Sequence, residues 1–171
     1  MGKKIEKVKK EEFADGVIAD FLRRSYAAVD GLWFMKVEEL FGYEKAMDLD
    51  EVIWQIMPKI QARKARELRN ITGNSILDFL RAIQMKLAAE GYDYSLESVG
   101  GGFMLTVNVC PWYEIIKAKG RGHIMPDIAE RICKKELQGW IAEFSGAIDF
   151  ENPERLCAED RPCSSCKFIF R

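Results

Sequence analysis

The spacing of the apolar residues changes at Gly91, and that change restricts the fold more than any other feature of the chain. Before it, large apolar side chains return every three or four positions; after it, they alternate with polar ones. Phe13, Val17, Phe21, Leu22, Tyr26 and Val29 form one helical stripe, which Asp30-Gly31 is expected to interrupt. The stripe resumes through Trp33, Phe34, Val37, Leu40 and Phe41, and Gly42 stops it. Asp48 reads as an N-cap with Glu51 closing a capping box, after which Val52, Ile56 and Ile60 line one face. Pro58 lacks a donor and crowds the preceding turn, so a bend is expected there. Ser75 and Asp78 form another box ahead of Ile76, Phe79, Leu80, Ile83 and Leu87, and Gly91 closes that helix.

Tyr92, Tyr94 and Leu96 then alternate with Asp93, Ser95 and Glu97. Gly100-Gly101-Gly102 turns the chain into a return strand with Phe103, Leu105, Val107 and Val109 on one face. Pro126 suits the first turn of a last long helix carrying Ala129, Cys133, Leu137, Trp140 and Phe144, and Gly146 ends it. Short strands are expected around Ile148 and Phe150 and over residues 167–170. The sequence therefore predicts an α+β fold. A helical N-terminal half packs with a small antiparallel β-sheet, a late helix and a cysteine-bearing C-terminal strand that returns beside Cys110.

At 171 residues and 48% hydrophobic, the chain suits one domain over residues 1–171, with residues 1–11 a flexible N-terminal segment. Its 26 basic and 27 acidic side chains balance, which gives no electrostatic reason to expect a nucleic-acid partner. Arg63, Lys64, Arg66 and Arg69 crowd residues 61–70, as a solvated stretch or an anion-facing patch. No apolar run reaches the roughly 18 residues that a bilayer span needs, and none follows the charged start, so a cytoplasmic protein with no membrane partner is expected. In a reducing compartment, metal binding, catalysis or burial explains five cysteines better than structural disulfides do.

Three of those cysteines, Cys157, Cys163 and Cys166, lie in the last fifteen residues. The two-residue gap of Cys163-Ser164-Ser165-Cys166 lets both thiolates reach one metal ion or join as a redox pair. Cys110 is the favoured fourth ligand because it ends a strand where the chain turns at Pro111. The expected set of Cys110, Cys157, Cys163 and Cys166 suits zinc or an iron-sulfur cluster. Cys133 is the second choice, although its helical stripe makes a buried thiol the plainer reading; inert clustering and redox use stay open for the tail. His123, the only imidazole, sits in a glycine-flanked loop and is a candidate general base for a Cys110 nucleophile, against a plain exposed loop histidine. Glu38, Glu39, Glu44, Glu136 and Glu143 offer carboxylates for hydrolysis, but on helices such groups are usually solvated. The His-Glu-x-x-His zinc-hydrolase arrangement needs two histidines and is ruled out.

The segments Val109-Cys110-Pro111-Trp112, Arg131-Ile132-Cys133 and Cys163-Ser164-Ser165-Cys166-Lys167-Phe168-Ile169-Phe170 resemble the L-2-amino-thiazoline-4-carboxylic acid hydrolase-like family. That resemblance implies opening of a cyclic C–N bond in a small sulfur-containing acid, with Cys110, Cys133, Cys163 and Cys166 in the cysteine-bearing segments. The order of elements is also similar to the 4-vinyl-reductase-type small-molecule-binding domain. This second likeness implies an apolar ligand enclosed by helices and sheet, with Trp112, Trp140 and Phe144 as lining. The favoured expectation is a metal- or small-molecule-binding domain of sensory or accessory role. The alternative is a hydrolase of a small cyclic amide or thiazoline carboxylate using Cys110 and His123. A homodimer through the first aromatic helices is a further expectation.

Overall fold

A computed structural model describes residues 11–144, 147–155, 157 and 165–171. The flexible segment expected over residues 1–11 lies, apart from Glu11, outside the described residues, as does the helix terminator Gly146. Helix α1 (Asp15–Phe41) runs through Asp30-Gly31 without a break. One glycine inside a helix costs only about 1 kcal/mol, which two helical turns on either side readily offset. The chain turns at Gly42, whose φ of 86° suits glycine, directly into helix α2 (Tyr43–Leu68). Asp48 therefore lies inside α2 rather than at its cap, and its carboxylate instead accepts from Arg131 Nη2 at 2.8 Å.

Pro58 is buried within α2 and faces Gly139, where an added Cβ would stand 2.9 Å from the Pro58 Cβ. Helix α3 (Ile76–Glu90) forms as its sequence predicts. The Ser75 hydroxyl accepts from the Asp78 amide, the Asp78 carboxylate accepts in return, and Gly91 ends the helix in the left-handed conformation.

Strands β1 (Asp93–Val99) and β2 (Gly102–Val109) form the expected hairpin. Helix α4 (Pro111–Ala118) comes directly after; proline at its first turn begins a helix where the sequence reading has only a turn. The late helix is built in three pieces: α5 (Met125–Ile128), a π-helical stretch (Ala129–Cys133) and α6 (Lys134–Ile141). Strands β3 (Phe150–Glu154) and β4 (Cys166–Phe170) complete an antiparallel four-stranded sheet in the order β1-β2-β4-β3. The α+β arrangement is thus present. The cysteine-bearing last strand lies against β2, with Cys166 opposite Val107 and three residues from Cys110 along that line.

The main core joins α3, α6 and the sheet, where Phe79 stands 5.1 Å from Phe170 and 5.8 Å from Phe144 between ring centres. Edge-to-face contacts of this kind add about 0.5–1.5 kcal/mol beyond area burial. A smaller cluster of Met47, Trp54 and Ile132 packs with Tyr26 and Trp112. Among the described residues no helix is long and apolar enough to cross a membrane.

Candidate functional site

Where the helices meet the ends of β2 and β4, the packing leaves a cavity of about 630 Å³. That volume suits a small organic molecule. Its apolar wall draws on Ile83, Leu105, Val107, Ile132 and Trp140, and Trp54 and Trp112 form a further aromatic side. Trp112 stands edge-on to both Trp54 and Tyr26, at 6.1 and 5.8 Å between ring centres.

A buried ionic group forms part of the same wall. Lys86 and Glu90, one turn apart on α3, are each only 8% exposed. Lys86 Nζ lies 3.0 Å from Glu90 Oε2 and 3.0 Å from Glu136 Oε1 on α6, and 4.9 Å from the centre of the Tyr92 ring. Trp112 Nε1 donates to Glu90 Oε2 at 3.0 Å, tying α4 to the pair. Burial pulls the Lys86 pKa down, but Glu136 and Glu90 outweigh it and hold the ammonium charged. Burial pushes Glu136 up, with Lys86 opposing and Glu90 adding to the rise. Two carboxylates against one ammonium leave this group formally one charge negative.

Two more carboxylates reach the cavity from the first helices. Asp30 of α1 is raised to about 6 by burial and by Glu90. Asp50 of α2 is raised to about 7 by burial and by Asp30, against a hydrogen bond from Trp54. Neither has a cationic partner among the described residues. The cavity lining thus sets Asp30, Asp50, Glu136 and Asp149 against Lys86, Lys134 and Arg155, and the last two basic groups are engaged by Glu130.

Four cysteines also line this space: Cys110, Cys133, Cys157 and Cys166. The Cys110 thiol donates to Tyr92 Oη across 3.9 Å. Burial pushes Cys110 up against backbone hydrogen bonds, pushes Cys133 far up, and raises Cys157 to about 12. These three thiols are protonated at neutral pH, so they are poor nucleophiles as they stand. Among the described residues, no group of three or more His, Cys, Asp and Glu stands where it could hold a metal ion. Cys163, one of the four ligands read from the sequence, lies outside the described residues.

The other candidates divide. Trp112 and Trp140 line the cavity as the sequence reading has it. Phe144 does not: it belongs to the main core, beneath the Arg66 guanidinium at 4.8 Å. His123 is exposed in a short 3-10 turn (Gly122–Ile124) and is absent from the cavity lining, so the structure does not bring it to Cys110. Nearby, the Arg121 guanidinium holds the Glu38 carboxyl below its usual range, with a smaller contribution from His123.

The acidic residues read as solvated separate likewise. Glu44, Asp48 and Glu51 surround Arg131, and Glu143 takes a bidentate pair from Arg63 at 2.8 Å, whereas Glu136 is buried in the cavity wall. Arg66 and Arg69 donate to backbone oxygens of Glu143 and Arg81, and Lys64 pairs with Glu67. The basic stretch is thus internally engaged rather than an open anion patch. Asp30, Asp50, Lys86, Glu90 and Tyr92 escaped the sequence reading as site residues. A signal existed for one pair: Lys86 and Glu90 share the inward spacing of Phe79, Ile83 and Leu87, so charge was placed on an apolar face.

A family model described as a family of unknown function (DUF6125) matches residues 6–111. The chain belongs to that family. The DUF6125 match runs from before α1 to the start of α4 and contains Asp30, Asp50, Lys86, Glu90 and Cys110. Cys133, Glu136, Cys157 and Cys166 lie C-terminal to the match, so both parts of the chain build the cavity jointly. No curated protein and no solved structure matches the chain.

Proposed function

We propose that this protein is a small-molecule-binding domain of sensory or accessory role, cytoplasmic, whose ligand carries an apolar body and a basic group. The observation that supports this most is a partly open, aromatic-lined cavity that Asp30 and Asp50 reach without a cationic partner among the described residues. Asp30 and Asp50 are costly to ionise without a counter-charge, and a ligand amine or amidinium supplies one. Trp54, Trp112 and Tyr92 offer π-faces to the same cation. Binding would then return the two carboxylates to their charged state and release protons. Affinity should rise by up to about tenfold per pH unit for each proton displaced, and level off above about pH 7.

Calorimetry with benzamidine, and with benzoate as the oppositely charged shape mimic, tests this. Benzamidine should bind with the stated pH dependence and be weakened by Asp30→Asn. Benzoate binding as tightly, or a benzamidine affinity insensitive to pH, would sink the reading. Metal analysis of anaerobically purified protein addresses the other half of the expectation: about one zinc, or iron with sulfide, per chain would shift the assignment to the cysteines.

The hydrolase reading rests on the resemblance and on the presence of Cys110 in the cavity wall. Its weakness is chemical. Burial raises the Cys110 thiol rather than activating it, and His123 is not among the residues that line the cavity. Ring opening of a thiazoline carboxylate that is lost in Cys110→Ala would restore it.

A further inference from the structure

We infer that α1 and α2 pair with the same two helices of a second copy of this chain. Helix α1 has 27 residues, of which only Val37 is buried. It turns Tyr26, Asp30 and Val37 toward its own fold. Turned away from those, Ile18, Phe21, Val29, Trp33 and Leu40 recur at helical spacing, with Phe21 69%, Trp33 58% and Leu40 71% exposed.

Helix α2 repeats the pattern. Met47, Trp54, Pro58, Ala62 and Ala65 are buried, while Leu49, Val52, Ile53, Ile56 and Ile60 form an outward stripe. Both helices are therefore apolar on two sides, and a helix of that kind is normally covered on both.

The size of the face selects the occupant. Ten large apolar side chains of α1 and six of α2 are exposed, more than the roughly 300–600 Å² patch of a typical monomer accommodates. A stable interface buries about 800 Å² per partner, an extent that two helices of 27 and 26 residues can present. Two such helices from each of two copies make a four-helix arrangement in which the outward stripes become its core.

The charges of α1 fit this partner better than a lipid surface. Arg23 and Arg24 both pair with Asp20, and Lys36 pairs with Glu39, within the helix itself. A helix that lies on anionic lipid instead presents unpaired basic side chains. This pairing is independent of what the cavity binds, although α1 supplies Asp30 to that cavity.

Sedimentation equilibrium of the full chain is the test. The monomer mass is 19.6 kDa, and the expected species at micromolar concentration is twice that. The double variants Phe21→Glu/Trp33→Glu and Val52→Glu/Ile56→Glu alter side chains exposed in one copy. They should keep the helical circular dichroism signal and raise the dimer Kd at least about 100-fold, since charge is forced into an apolar interface. If either charged variant fails to fold, Phe21→Ser/Trp33→Ser reads the same interface more gently. A wild-type monomer at about 100 µM overturns the proposal. So does a dimer that persists in the folded variants, or a wild-type monomer that floats with phosphatidylcholine–phosphatidylserine vesicles.

Discussion

Replacing Asp50 by asparagine should stabilise the empty protein at alkaline pH and do nothing at acid pH. The Asp50 carboxyl is raised from 3.8 to about 7, chiefly by burial and then by Asp30. Each unit corresponds to about 1.4 kcal/mol, so the full shift sets an upper limit near 4 kcal/mol; residual solvent access reduces the expected effect to about 2 kcal/mol. The sign depends on which state holds the proton. Folded Asp50 keeps its proton to higher pH than the unfolded chain does. Its favourable contribution is therefore complete below about pH 4 and is lost as pH climbs toward 7. Asparagine carries no titrating proton and can still accept the Trp54 hydrogen bond. Urea denaturation of both proteins at pH 4, 6 and 8 gives the difference profile, in which carboxylates not coupled to Asp50 cancel and Asp30, which is coupled to it, adds to the change in favour of the variant. It should open from near zero to about 2 kcal/mol in favour of the variant. Parallel profiles, or a variant less stable than wild type at pH 8, would refute the buried, uncompensated state assigned to Asp50.

Two further substitutions probe the frame around the cavity. Lys86→Met strands Glu90 and Glu136, both 3.0 Å from the ammonium, and should cost about 3–5 kcal/mol at pH 7 in urea denaturation. Gly139→Ala drives a methyl to 2.9 Å from the Pro58 Cβ and should cost about 1–3 kcal/mol, read as a lowered thermal midpoint. Equal stability in the alanine variant would mean that the α2–α6 crossing is looser than its geometry.

The fold was more legible than the site, and the reason is the range over which each signal acts. The Ser75–Asp78 box, the Gly91 stop and the alternation through β1 and β2 are local, and each appears where its residues put it. Asp30-Gly31 and Asp48 misled because a break or cap signal is weak against a long helix held by its neighbours. Helix α4 was missed because its eight residues are too few for periodicity to speak. At the site, the sequence drew attention to cysteines, and four of them do line one cavity. It passed over the carboxylates because Asp30 and Asp50 look like ordinary helix-surface residues until α1 and α2 are folded against the rest. His123, thirteen residues after Cys110 in sequence, lies in an exposed 3-10 turn beyond α4 and is not among the residues that line the cavity.

The double-sided character of α1 links the two proposals physically. One face carries Asp30 into the cavity, and the other carries Phe21, Val29 and Trp33 outward. Val37 is the one fully buried residue of α1, and half-buried Tyr26 and Phe34, with the Arg121–Glu38 pair, hold its inner face against Trp112, Tyr43 and the smaller core cluster. A cation entering beside Asp30 attracts that face of α1 toward the cavity, while a second copy holds the outer face. If both proposals hold, ligand and partner act on one shared element, and differential affinity of either for one α1 position would be felt by the other. A sensor needs such an element; an enzyme with a fixed nucleophile does not. On the proposed reading, α1 would report a ligand, and loss of ligand-dependent change in the dimer Kd in Asp30→Asn is the outcome expected of it.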